Sequence, residues 1–352
     1  MMSDIRPLTV TVNRETRQLD RPMALPEVLA TLSVPVTRIA IALNGEIIPR
    51  DRWPQTILRD GDSVDVVRAV SGGSGAADDP LLIAGQQFDS RLFLGTGRFP
   101  SPQVLRQALA AAATELVTVS IRALGLDGQN ADGGLLDELE TSSYRLLPNT
   151  AGATTVRQAV YMAHLAREVT GTNWIKLEVI GDERSLWPDP AGTVEACRQL
   201  VSDGFVVLPY TSLDLVTALR LEETGAAAVM PMAAMIGSGQ GMQDIAGLRR
   251  ILERLTVPVV VDAGIGTPSD ATIAMECGAA ACMVNTAISR AQDPVRMATA
   301  MRLAVCAGRL AYRAGRMPRL DYAVPSSPSD GIVAAPARLQ PAEPATAAVA
   351  GH

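Results

Sequence analysis

Between residues 81 and 318 the chain repeats one pattern eight times: a short apolar run, then a longer stretch with helical spacing. The runs fall at 92–97, 116–121, 145–148, 174–180, 205–210, 227–231, 259–264 and 281–286. Between them, 102–113, 155–167, 194–203, 213–223 and 245–254 carry apolar residues at helical intervals. Eight strand-and-helix units in about 240 residues predict an α/β fold, a (β/α)8 TIM-type barrel. An open doubly wound sheet is the alternative. No GxGxxG follows the first run, and eight units suit closure better than an open sheet.

Residues 1–73 follow a different rhythm. Residues 7–13 alternate as a strand, and 13–16 read as a turn into a second short strand. Residues 24–32 have helical spacing, and 39–48 form a hairpin through Asn44-Gly45, a strong turn signal. Asp60-Gly61 makes another turn before a last strand at 63–70. This is a small α+β domain resembling the ubiquitin-like β-grasp fold, and it ends at Gly72-Gly73. Residues 74–80 are small and Gly-rich, as expected of a flexible linker. Residues 319–352 are rich in Ala, Pro and Ser without periodicity, as expected of a disordered tail.

Thirty-one residues are Lys or Arg, and only Lys176 is lysine. Arginine serves solubility as well as lysine, but it cannot supply an amine that loses its proton. Lys176 lies in the fourth run, WIKLEVIGD at 174–182. Strand alternation sends Ile175, Leu177 and Val179 toward the helices and Trp174, Lys176 and Glu178 into the barrel. A buried lysine can attack a ketone to form an imine, and a carboxylate beside it can move the protons. A purely structural ion pair is the competing explanation. Asp262 ends the seventh run, where barrel carboxylates tend to be catalytic; a turn or helix-cap role is its alternative. Small-residue turns follow runs six, seven and eight (237–241, 263–267 and 285–287), where such barrels bind phosphate.

Other features narrow the function. A net charge of −6 and 3% aromatic residues argue against nucleic-acid binding. The four cysteines form no CxxC pair and the only histidines are His164 and His352. We therefore expect no zinc site, no disulfide framework and no metal or other cofactor. His164 reads as a surface or packing residue, and Cys277 and Cys282 as buried small residues. Arg122 and Asp182 are either barrel-mouth or surface charges. The N-terminus lacks an apolar signal segment, and the uncharged run 225–243 is broken by Pro231 and several glycines. Both suggest a cytoplasmic protein with no membrane span.

LFLGTG (92–97), LPNTAG (147–152), WIKLEVIGD (174–182), VLPY (207–210), VMPMAAMIGSGQG (229–241), VVDAGIGTPSD (260–270) and NTAI (285–288) together resemble thiazole synthase of thiamine biosynthesis, across about 80–316. LNGEIIPR, GDSVDVV and the Gly-Gly resemble, less specifically, the sulfur carrier protein of the same pathway. The resemblance implies a natural fusion and a transferase activity. It implies that 1-deoxy-D-xylulose 5-phosphate, dehydroglycine and sulfur from a carrier thiocarboxylate condense into a thiazole phosphate carboxylate. It implies that Lys176 is the Schiff-base lysine, that Glu178 and Asp262 are acid/base residues, and that Gly237, Ala263, Gly264, Asn285 and Thr286 contact substrate and phosphate. It further implies a homo-oligomer, with the carrier either this chain's own N-terminal domain or a separate protein. One departure stands out: a carrier needs a free Gly-Gly carboxyl, and here Gly73 continues into Ser74. The residues alone also admit an aldolase-like Schiff-base barrel, or a ubiquitin-like interaction module on a barrel scaffold.

Overall fold

The computed structural model describes residues 8–13, 15–31, 39–68, 79–120 and 144–326. The Gly72-Gly73 pair, the linker up to residue 78 and the tail beyond 326 lie outside them, as does Arg122.

The N-terminal domain contains β1 (Leu8–Val12), β2 (Glu15–Leu19), α1 (Leu25–Thr31), β3 (Ile39–Leu43), β4 (Glu46–Ile48), a 3-10 helix (Arg50–Gln55) and β5 (Ser63–Arg68). The strands form one sheet in the order β2-β1-β5-β3-β4, in which only β1 and β5 run parallel. Asn44 and Gly45 both have positive φ, 53° and 85°. That backbone suits a two-residue hairpin and favours the Asn-Gly pair. Leu25, Val28 and Leu29 of α1 pack on Val10, Ile41 and Val64. This is a β-grasp arrangement.

The second region opens with a hairpin, β6 (Leu81–Ile83) and β7 (Gln86–Phe88), followed by β8 (Leu92–Gly95), α2 (Pro102–Ala112), β9 (Leu116–Ser120) and β10 (Arg145–Asn149). Next come α3 (Val156–Thr170), β11 (Trp174–Leu177), a small hairpin of β12 (Ile180–Asp182) and β13 (Trp187–Pro188), α4 (Pro190–Ser202), β14 (Val206–Thr211) and α5 (Leu215–Glu223). The chain continues through β15 (Met230–Pro231), α6 (Ile245–Arg254), β16 (Val260–Val261), α7 (Pro268–Glu276), β17 (Ala281–Val284), α8 (Thr286–Ser289) and α9 (Pro294–Ala314). Eight parallel strands run in the order β15-β14-β11-β10-β9-β8-β17-β16. Parallel bridges Val229–Val259 and Met232–Asp262 join the first to the last and close the barrel.

Local chemistry starts the helices. Ser101, Thr155, Asp189, Asp214 and Asp244 each accept a backbone N–H in the first turn of α2, α3, α4, α5 and α6, satisfying donors that have no partner within the helix. The strands bury both faces. Ile175, Leu177 and Val179 join the layer between barrel and helices. Phe93, Leu116, Leu147, Trp174, Leu208 and Val260 fill the inside. Leu81, Ile83 and Phe88 of the β6–β7 hairpin complete that inner core, with Phe88 edge-on to Phe93 and Trp174 at 5.4 and 5.9 Å. Because Phe93, Leu116 and Trp174 stand at the beginnings of their strands, the hairpin closes the N-terminal end and leaves the C-terminal end for a site.

Most apolar runs become shorter strands than expected. The seventh narrows from 259–264 to Val260–Val261, because Ala263 and Gly264 turn with positive φ. The β6–β7 hairpin, the β12–β13 hairpin and the long helix α9 add to the eight units read from the sequence.

Candidate active site

Lys176, in the middle of β11, points into the barrel and is 7% exposed; Glu178 and Asp262 are 5% and 4% exposed. The Lys176 Nζ makes an ion pair with Asp262 Oδ2 and stands 3.6 Å from Glu178 Oε1. Lys176 and Glu178 share a face because side chains two apart on a strand do. Glu178 follows the last paired residue of β11, yet its backbone is held. Its N–H donates to Thr150 Oγ1 and its carbonyl accepts from the same hydroxyl, both at 2.8 Å. The Thr150 N–H also donates to the Lys176 carbonyl (3.1 Å). Asp262 is fixed across the closing seam: its N–H donates to Pro231 O and its carbonyl accepts from Ala233 N–H.

The three groups cannot all be charged at equal cost. Burial lowers the Lys176 pKa, but Asp262 and then Glu178 outweigh it, so the ammonium is favoured beyond its usual range. For Glu178 burial dominates; the pull of Lys176 is opposed by repulsion from Asp262, and the carboxyl is held above the usual range. Burial and the neighbouring charges thus favour the protonated form of both Lys176 and Glu178 relative to the free side chains. The Tyr210 ring lies 5.8 Å from Lys176 Nζ.

Above these groups opens a cavity of about 260 Å³. Its lining includes the barrel residues to which the resemblance gives chemistry, substrate or phosphate: Lys176, Glu178, Asp262, Gly237, Ala263, Gly264, Asn285 and Thr286. Gly264 has φ +73°, and a Cβ there would stand 2.4 Å from Ala234 N. Only glycine lets the loops after β15 and β16 approach this closely. Turned to satisfy its amide, Asn285 donates to Gly97 O (3.0 Å) and Gly95 O (3.2 Å), tying the end of β17 to β8. The chain then enters α8 at Thr286. Small turns and a short helix after the last two strands thus line this side of the cavity.

Other residues behave as ordinary structure. Exposed Asp182 accepts from Ser185 N–H (2.8 Å) and is absent from the lining of the cavity. His164 meets Asp203 at 2.9 Å and Arg167 at 3.0 Å on α3. Cys282 is buried with its thiol pushed up to about 12, whereas Cys277 is only half-buried, contrary to expectation, because it ends α7. Thr118, Asn149, Ile180, Leu186 and Ile236 also line the cavity, and the residue-level reading did not single them out. Alternation along β9 and β10 is the signal in the sequence that could have found Thr118 and Asn149.

A model of the family described as thiazole biosynthesis protein ThiG matches residues 82–328. The chain belongs to this family. It is a thiazole synthase, and a ThiS-family model matches residues 10–73, placing a ubiquitin-like sulfur-carrier domain ahead of it. Residues of this thiazole synthase are 56% identical over 256 positions to the thiazole synthase of Methylobacterium sp. (strain 4-46), covering 73% of this chain and 95% of the relative. The thiazole synthase of Paramagnetospirillum magneticum is 41% identical over 326 residues, covering 93% of this chain and all of the relative. That alignment must run through both family segments. The Amycolatopsis orientalis BexX/CysO complex contains a chain 38% identical, with TM-score 0.63, covering 70% of this chain and all of that one. Among the described residues, no His, Cys, Asp or Glu cluster is placed to hold a metal. No helix there is long and apolar enough to cross a membrane.

Proposed function

We propose that this thiazole synthase condenses 1-deoxy-D-xylulose 5-phosphate, dehydroglycine and sulfur from a carrier thiocarboxylate, through an imine on Lys176. The observation that carries the proposal is the Lys176–Glu178–Asp262 cluster beneath a cavity whose far side is built from turns. Asp262 takes the ammonium proton, and the freed amine attacks the C2 carbonyl carbon. A proton moves from nitrogen to the former carbonyl oxygen, giving a carbinolamine. Glu178 then gives its proton to the departing hydroxyl, water leaves, and a protonated imine remains. Burial raises the Glu178 pKa, which favours the neutral acid this step needs. Gly237, Ala263, Gly264, Asn285 and Thr286 hold the sugar and its phosphate, which places C2 at Lys176 Nζ.

Sulfur comes from a Gly72-Gly73 thiocarboxylate. Gly73 is joined by a peptide bond to Ser74, so we propose cleavage after Gly73, with domains at 1–73 and 81–318, a linker at 74–80 and a tail at 319–352. The intact mass of protein purified from its native cell tests this: a chain that stays whole while its own carrier domain supplies sulfur would refute cleavage. We also propose a homo-oligomer, as the resemblance implies, located in the cytoplasm.

Imine formation has its own test. Substrate labelled with 18O at C2 is incubated with enzyme alone, without dehydroglycine or carrier. The label should wash into water faster than in the enzyme-free control, and Lys176→Arg should abolish that excess. Label loss at the control rate with active wild-type enzyme would refute the imine.

A further inference from the structure

Ile180, Leu186 and Ile236 line the cavity on the β11–β14–β15 side. Tyr210 and Met232 back them, 0% and 4% exposed. The Tyr210 hydroxyl is directed away from the cavity, to Met232 Sδ at 3.2 Å and Leu186 O at 3.4 Å. The wall side chains are therefore aliphatic, with the Tyr210 hydroxyl already engaged behind them. The polar side chains of the lining are Lys176, Glu178 and Asp262 at the floor, Thr118 and Asn149 on β9 and β10, and Asn285 and Thr286 after β17.

Leu186 adds a second observation. It sits between β12 and β13 with φ +55°, a conformation in which a branched side chain is crowded and Asn or Gly is at ease. Ser185 N–H, bonded to Asp182 at 2.8 Å, anchors the same turn. A strained leucine facing a cavity points to a side chain the site uses.

We propose that this wall is the specificity element that receives the substituent on the far side of the ketone from the phosphate, and that it selects a methyl ketone over a hydroxymethyl ketone. The proposal rests on the imine reading above. With C2 on Lys176 and the phosphate held after β16 and β17, the C1 group lies against the wall. A C1 methyl is buried there without loss. A C1 hydroxyl turned to the wall loses its water partners and gains none from the Ile180, Leu186 and Ile236 side chains. An apolar pocket rejects an added hydroxyl by about 10²-fold.

The test compares borohydride trapping of 1-deoxy-D-xylulose 5-phosphate with that of D-xylulose 5-phosphate, which differs only by the C1 hydroxyl. The wild-type enzyme should trap the methyl ketone about 10²-fold more efficiently. Leu186→Asn, which relieves the strained φ and offers a polar partner, should narrow the ratio to within about tenfold by improving the hydroxymethyl substrate. Ile180→Thr should narrow it in the same sense, and thermal melting verifies that each variant is folded. Equal wild-type trapping of both sugars would overturn the wall while leaving the imine intact. A wild-type preference unchanged in both folded variants would also overturn it. No adduct with either sugar would overturn the imine, and the wall with it.

Discussion

Two ionic clusters, one partly buried and one buried, occupy opposite ends of the barrel, and their composition is inverted. At the closed end, one carboxylate, Asp79, is gripped by three arginines. Arg309 holds it in a two-pronged pair at 2.7 Å on each oxygen, Arg91 lies at 3.0 Å and Arg313 at 3.3 Å. At the open end, one lysine serves two carboxylates, with Glu178 at 3.6 Å. The first cluster fixes its protons. The hydrogen bond from Arg309 is the largest influence on Asp79, and its pKa falls to about 2 despite burial. Arg91, pushed down to about 10 by burial and then by Arg309, is still a cation at neutral pH. In the second cluster the pKa values of Glu178 and Lys176 are both raised, Glu178 chiefly by burial and Lys176 by its two carboxylate neighbours against burial. Planar, permanently charged arginine suits a clamp, and a titratable amine suits chemistry. In a chain with thirty arginines and one lysine, the two clusters divide the residue types by task.

Exchange of residue type at the open end should have the largest effect. Lys176→Arg keeps the charge but should reduce thiazole formation by on the order of 10⁴-fold or more, measured as product per turnover, while leaving the melting temperature close to wild type. Glu178→Gln should follow, with a loss of about 10²–10⁴-fold. The wild-type rate of imine formation should fall on the alkaline side as Glu178, whose pKa is raised, gives up its proton. A pH–rate profile of Glu178→Gln should lack that limb. Asp79→Asn acts at the closed end and should leave trapping at Lys176 unchanged. It should cost about 2 kcal/mol of stability, the scale of hydrogen bonds to a charged group, read from denaturant midpoints. Because the Asp79 pKa is depressed, that stability is present above about 3.8 and is lost as pH falls toward about 2; the variant's stability should be flatter over that window. His164→Ala, on α3 outside both clusters, should change stability by within about 1 kcal/mol and leave the rate unaltered.

The barrel was legible because alternation and turn chemistry are local. In the barrel, apolar runs mark strands and helical spacing marks the segments between them; in the N-terminal domain, Asn44-Gly45 marks a hairpin whose φ values favour that pair. Lys176, Glu178 and Asp262 were legible because one is a compositional singleton, the next shares its strand face, and the last ends a strand. Thr150 was not, since its value depends on a hydroxyl meeting the Glu178 backbone 28 positions away. Leu186 was hidden for a similar reason: a leucine announces neither a turn nor a positive φ. The β6–β7 hairpin escaped because its two strands have three residues each, and its role becomes evident only when Phe88 meets Phe93 and Trp174.

The most direct test of the whole account is reduction of the wild-type enzyme with borohydride in the presence of 1-deoxy-D-xylulose 5-phosphate, followed by digestion and peptide mass mapping. The account predicts one substrate-derived adduct on the peptide that contains Lys176, lost in Lys176→Arg and retained in Asp79→Asn. Since no other lysine side chain exists in the chain, only α-amines compete, that of Met1 and, after cleavage, that of Ser74. An adduct confined to the N-terminus, or none on enzyme that still forms thiazole, would contradict it.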